Sequence, residues 1–198
     1  MKICVFGASS SSLARVYYDE AYALGAILAR RGHTMVFGGG TSGLMGAAAR
    51  GAESEGGELI GVAPRFFDEP GILHRCTEMI FTETMSERKK TMEDMSDAFI
   101  TLPGGIGTFE EFFEALTLKQ LGRHAKAMAI LNTNGYYNEL EAMMDRAVSE
   151  EFLTEDGKVD VAALRPVLFE MPTYTYLATG EKIADCLSFA KERKTEGE

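Results

Sequence analysis

The sequence predicts an α/β chain, built as a Rossmann-like, doubly wound, mainly parallel sheet of about seven strands with helices on both faces. Three observations predict it. Short apolar runs alternate with amphipathic segments of helical length along the chain, as in successive βαβ units. Several of the strand-like runs are continuously apolar, as strands covered on both faces must be. Three strand ends lead through small or glycine-rich residues into a helix, and open parallel sheets hold ligands at such carboxyl ends.

The predicted strands are Lys2–Phe6, Thr34–Phe37, Glu58–Val62, Glu78–Phe81, Ala98–Leu102, Ala127–Leu131 and Pro166–Phe169. The helical segments between and after them are Ala14–Arg31, Gly43–Glu55, Glu87–Ser96, Phe109–Leu121, Tyr136–Glu151 and Lys182–Lys191. The stretch Pro64–Arg75, with Pro64, Pro70 and Gly71, breaks both periodicities and reads as a mobile crossover or lid. No repeat and no linker divides the chain. Residues 1–191 are expected to form one nucleotide-binding domain, and 192–198 a polar tail.

The chain has 198 residues and a formal net charge of −10. A surface so acidic repels nucleic acid over most of its area, although a small anion can still bind where positive groups converge. No apolar run is long enough to cross a membrane. The opening Met-Lys-Ile-Cys-Val-Phe runs directly into a strand and lacks the features of a secretion signal. Cys4, Cys76 and Cys186 are odd in number and far apart, which argues against a disulfide framework or a metal cluster. A cytoplasmic protein is expected. His33, His74 and His124 are isolated, so no metal site is expected either.

The three strand-end turns are Phe6-Gly7-Ala8-Ser9-Ser10-Ser11-Ser12, Phe37-Gly38-Gly39-Gly40-Thr41-Ser42-Gly43 and Leu102-Pro103-Gly104-Gly105-Ile106-Gly107-Thr108. Glycine lets a backbone approach a ligand closely, and the free N–H groups of a helix start attract an anion. Glycine also makes tight turns for purely structural reasons. Two Gly-rich turns that both precede helices and both carry hydroxyls favour a phosphate site. Ser9, Gly39, Gly40, Thr41, Gly104, Gly105, Ile106, Gly107 and Thr108 are its candidate residues. Neither turn fits the dinucleotide fingerprint or the P-loop, which disfavours dehydrogenases and P-loop ATPases.

Two charged residues stand out. On the predicted helix that starts after Ser86, a plausible N-cap, Arg88 falls in line with Met92, Met95 and Phe99. It therefore faces inward and needs an anionic partner, which could be a structural carboxylate or a ligand. Thr108 and Glu111 have the T-x-x-E spacing of a capping box, which would tie Glu111 to its own helix start. Glu110 points about 100° away around the helix, and Phe109, Phe112, Phe113 and Leu116 read as core.

The run Met85–Met92, followed by Pro103-Gly104-Gly105-Ile106-Gly107-Thr108-Phe109-Glu110-Glu111, resembles the paired motifs of the Lonely Guy family: an Arg-Lys pair, then P-G-G-x-G-T-x-x-E. The likeness extends to Gly38-Gly39-Gly40, Gly43-Leu44-Met45-Gly46, Thr117 through Gly122, Leu131-Asn132 and Gly135-Tyr136-Tyr137. It covers the chain to about residue 190. It departs at Ser10–Ser12, where many relatives have a glycine soon after the serine pair. The resemblance implies a Rossmann-like homodimer that acts as a phosphoribohydrolase on nucleoside 5′-monophosphates, including cytokinin-type N6-modified AMP, without a cofactor. It implies that Arg88 and Glu111 are catalytic. It also implies substrate contacts at Arg88, Lys89, Gly105 through Glu111, and Thr117, with an upstream acidic contact near Glu69. Two rival functions remain: a non-catalytic nucleotide or molybdopterin-type carrier on the same fold, and a pyridoxal phosphate decarboxylase, for which the sequence marks no lysine.

Overall fold

The computed structural model describes residues 1–67 and 76–152. Six strands form one wholly parallel sheet: β1 (Lys2–Phe6), β2 (Thr34–Phe37), β3 (Leu59–Pro64), β4 (Glu78–Thr82), β5 (Ala98–Thr101) and β6 (Ala127–Ile130). The helices are α1 (Arg15–Arg30), α2 (Gly43–Ser54), α3 (Met85–Met95), α4 (Ile106–Gln120) and α5 (Asn138–Ser149). The predicted strand Pro166–Phe169, the helix Lys182–Lys191 and the tail 192–198 lie outside the described residues.

The strand order is β4-β3-β2-β1-β5-β6. The chain steps outward from β1 to β4, then crosses back to place β5 on the other side of β1. The switch in direction therefore falls between β1 and β5, where such sheets open a ligand crevice. Alternation along β1 shows how the two layers share the sheet. Ile3 and Val5 join Leu24, Leu28, Met35 and Phe37 in the core under α1 and α2. Cys4 and Phe6 join Met92, Phe99, Phe112 and Met128 in the core under α3 and α4. With both faces buried, a strand has no polar phase, which explains why β3 is buried at all six positions.

On one side, α1 and α2 meet backbone to backbone. A Cβ at Gly25 would sit 1.8 Å from the Ala48 carbonyl oxygen, and one at Gly51 would sit 2.0 Å from that of Tyr22.

Two helix starts differ from the sequence reading. Thr84, not Ser86, caps α3. Its hydroxyl accepts from the Glu87 N–H at 3.1 Å, while Glu87 Oε2 accepts from the Thr84 N–H at 3.2 Å. The capping box formed two residues earlier than expected because Thr84 has Glu at its N3 position, whereas Ser86 has Lys89. In α4 the N-cap is Gly105, so Thr108 already lies inside the first turn. The irregular Pro64–Arg75 stretch resolves in part: Pro64 ends β3, and Arg65–Phe67 form one 3₁₀ turn. Residues 68–75, which include Glu69, lie outside the described residues.

Candidate active site

All three strand-end turns converge on one cleft of about 680 Å³. Gly7–Ser10 after β1 form one wall, and Gly38, Gly40, Thr41 and Ser42 after β2 form a second. Gly105–Thr108 with Glu110 and Glu111 form the third. Met45, Phe67, Met85 and Arg88 complete it. The turns are tied to one another: the Ala8 N–H donates to the Pro103 carbonyl at 3.0 Å, and the Leu44 N–H to the Ala8 carbonyl at 2.8 Å. Gly43 makes the second tie possible. Its φ is +64°, and a Cβ there would lie 2.2 Å from the Ala8 carbonyl oxygen.

Arg88 and Glu111 meet at the cleft. Arg88 Nη1 donates to Glu111 Oε1 at 2.8 Å, and Arg88 Nε donates to the Val62 carbonyl at 3.2 Å. Their side chains are only 8% and 11% exposed. The inward stripe of α3 thus carries Arg88 as its periodicity indicates, and the T-x-x-E reading of Glu111 as a cap is corrected. Glu111 bonds across to another helix, because the capped start of α4 lies at Gly105 and out of its reach. Gly38 makes room for the arginine: a Cβ at that position would be 2.5 Å from Arg88 Nη2. Burial raises the Glu111 carboxyl above its ordinary value, and the neighbouring Arg88 offsets that only partly.

The first turn of α4 faces the cleft through Ile106, Gly107 and Thr108. The leading N–H groups of a helix have no partner within it and carry its positive pole. Thr108 is buried. Gly104 lies behind it and off the cleft lining, and a Cβ there would strike the Thr108 hydroxyl at 2.1 Å. Nothing lies within 4 Å of where a Cβ would stand at Gly40, Gly105 or Gly107, so internal packing does not demand glycine there. Gly39 has φ +76° and supports the β2 turn from outside the lining.

Two of the expected contacts sit elsewhere. Lys89 points past the cleft to Glu110 and to Glu114, the latter at 2.7 Å. These two carboxylates, one turn apart on α4, attract it more than an open cleft would. Thr117 is exposed, eleven residues beyond Ile106 and so about 16 Å further along α4. Glu110, which the helical spacing turns about 100° from Glu111, is paired with Lys89 and also lines the cleft. Gly38 was noticed only as part of a turn, and nothing in its own neighbourhood of sequence signals the arginine it accommodates.

A family model described as "Possible lysine decarboxylase" matches residues 45–165. The cytokinin riboside 5′-monophosphate phosphoribohydrolase LOG3 of Arabidopsis thaliana is 36% identical over 97% of this chain and 90% of its own. The chain belongs to the Lonely Guy (LOG) family. LOG2 of the same plant, also named a cytokinin riboside 5′-monophosphate phosphoribohydrolase, is 39% identical over 79% of this chain and 74% of its own. Among solved structures, a molybdenum cofactor carrier protein from Chlamydomonas reinhardtii aligns with a TM-score of 0.59 at 27% identity. That alignment covers 73% of this chain and 84% of the carrier. In this Lonely Guy chain no lysine lines the cleft among the described residues, so no described lysine is placed there to form the Schiff base that a pyridoxal phosphate decarboxylase requires.

Proposed function

We propose that this protein hydrolyses the N-glycosidic bond of a nucleoside 5′-monophosphate, AMP or its N6-modified forms, to free base and ribose 5-phosphate. One observation carries the reading. The buried Arg88–Glu111 pair stands on the same cleft as the first-turn amides of α4, with Glu111 about one helical turn from Gly107 and Thr108. That spacing suits a sugar phosphate held at both ends. Kinship with named phosphoribohydrolases supports it.

In this reading Gly105–Thr108 supply the phosphate cradle with Gly104 behind them, Gly40 and Thr41 stand on the facing turn that Gly39 supports, and Ser9 lies beside it. Glycine at Gly40, Gly105 and Gly107 leaves space that a ligand fills. The C1′–N bond breaks with its electron pair leaving on the base, and positive charge builds on the ribose. The Glu111 carboxylate stabilises that charge and accepts a proton from the water that bonds to C1′. The base takes up a proton from solvent as it departs, and the proton that Glu111 took from water returns to solvent afterwards. Arg88 positions the substrate and balances the carboxylate. Lys89 acts through Glu110, which it holds against the cleft.

The test is incubation with AMP, GMP, CMP and N6-prenylated AMP, following free base and ribose 5-phosphate. Release of base from an adenine nucleotide is expected. Binding of these nucleotides without any release would replace the reading with a carrier, which the likeness to a molybdenum cofactor carrier favours as the second reading.

We also propose that the protein is a cytoplasmic homodimer. Met92 and Phe112 are buried within the chain and need no partner's cover. The support comes from exposed apolar side chains at the two ends of α4: Ile106 (83% exposed) at the cleft and Leu121 (63%) just past the last turn. No helix among the described residues is long and apolar enough to cross a membrane.

A further inference from the structure

Each cleft-wall turn is held from behind by a side chain that donates to one of its backbone carbonyls. The Tyr18 hydroxyl donates to the Ser10 carbonyl at 3.0 Å, Arg50 Nη1 to the Thr41 carbonyl at 2.9 Å, and the Tyr136 hydroxyl to the Gly104 carbonyl at 2.6 Å. None of these three donors lines the cleft. A trans peptide is planar, with its C=O and N–H on opposite sides. A carbonyl turned back toward Tyr136 therefore sends the N–H of the same peptide the other way, toward the cleft. For Gly104 that N–H belongs to Gly105.

The Gly104–Gly105 peptide is the one that most needs such a restraint. Both flanking residues lack a Cβ, so rotation of the peptide between them meets little steric resistance. Gly105 is the exposed N-cap of α4 and, having no side chain, makes no capping bond. Tyr136 is 40% exposed and is braced by two neighbouring rings. Its ring packs edge-on against Tyr17 at 6.3 Å and Tyr137 at 5.0 Å, and the Tyr137 hydroxyl donates to the Leu102 carbonyl at 2.8 Å. Two adjacent tyrosines thus hold carbonyls on either side of Pro103.

We propose that Tyr136 is a positioning residue for the anion cradle, its hydroxyl locking the Gly104–Gly105 peptide so that the Gly105 amide faces the bound phosphate. The role rests on the reading of this turn as the phosphate site. It acts through the backbone and does not require Tyr136 to touch substrate.

The experiment compares wild type with Tyr136→Phe, which keeps the ring and its packing and removes only the hydroxyl. Affinity for ribose 5-phosphate and for adenosine is measured by calorimetry, and KM and kcat for AMP by adenine release. The variant is expected to lose about tenfold in ribose 5-phosphate affinity, the effect of one weakened hydrogen bond to an ionised group. KM for AMP should rise to match, with kcat within about twofold and adenosine affinity and melting temperature unchanged. A merely structural role would lower the melting temperature and weaken both ligands alike. That result, or a change of less than twofold for ribose 5-phosphate, overturns the proposal. Wild-type protein that binds ribose 5-phosphate yet releases no base from AMP or from N6-prenylated AMP ends the proposed function, while the affinity ratio still decides the role of Tyr136. Wild-type protein that binds no ribose 5-phosphate ends both.

Discussion

Arg88 and Glu111 occupy a place where neither charge would be stable alone, and their chemistry follows from that. Replacing Glu111 by Gln preserves volume and an acceptor for Arg88, so the fold should survive while adenine release falls at least about a hundredfold. Circular dichroism and an AMP assay check the two halves separately. The pH dependence has a definite sign. Burial raises the Glu111 carboxyl above its ordinary 4.5, so the acid limb of kcat/KM should lie above that value and vanish in Glu111→Gln. Stability runs oppositely: the folded chain holds this proton more tightly than the unfolded chain. The associated stabilisation is full below pH 4.5 and is lost as pH rises through the raised folded value. Arg88→Ala should lower adenine release from AMP and should also lower the melting temperature, since it strands a buried carboxylate. The arginine was legible in the sequence because helical spacing alone turns it inward beside Met92. The partner was not: Glu111 lies twenty-three residues away, and its immediate neighbours spell a helix cap. Local pattern cannot show which helix will arrive opposite.

Among the elements, glycines separate into those the fold requires and those a ligand would require. Gly43 has positive φ and no room for a Cβ. Gly43→Ala should therefore cost about 1–3 kcal/mol, read as a drop in the midpoint of urea unfolding. Gly105 has φ −95° and open space around it, so Gly105→Ala should leave stability within about 0.5 kcal/mol while raising KM for AMP. If Gly105→Ala unfolds the protein, or leaves KM untouched, the cradle assignment fails. The sequence grouped these glycines together because strand-turn-helix patterning gives them the same context; only the approach of neighbouring backbone distinguishes them. Thr84→Ala should cost about 1 kcal/mol through loss of the α3 cap. That cap was misplaced by two residues, since Thr84 and Ser86 are both plausible from composition.

For the whole molecule, strand positions were legible to within a residue or two, because each described strand is a short apolar run between turns. Strand order was not, since pairing joins segments as distant as β1 and β5. The proposed dimer is decided by light scattering: a mass about twice the 21.6 kDa of one chain is expected, and Leu121→Lys should reduce it to one.

The backbone contact between α1 and α2 has a mechanical consequence. Tyr18 on α1 steadies the turn after β1, and the start of α2 anchors the turn after β2. With no side-chain cushion at Gly25 and Gly51, the two helices form a fixed jaw. A Cβ at either glycine would force α1 and α2 apart, so Gly25→Ala or Gly51→Ala should lower the melting temperature and disturb both turns at once. On the other face of the sheet the Arg88–Glu111 bond joins α3 to α4, and Arg88 Nε ties that pair to β3 through the Val62 carbonyl.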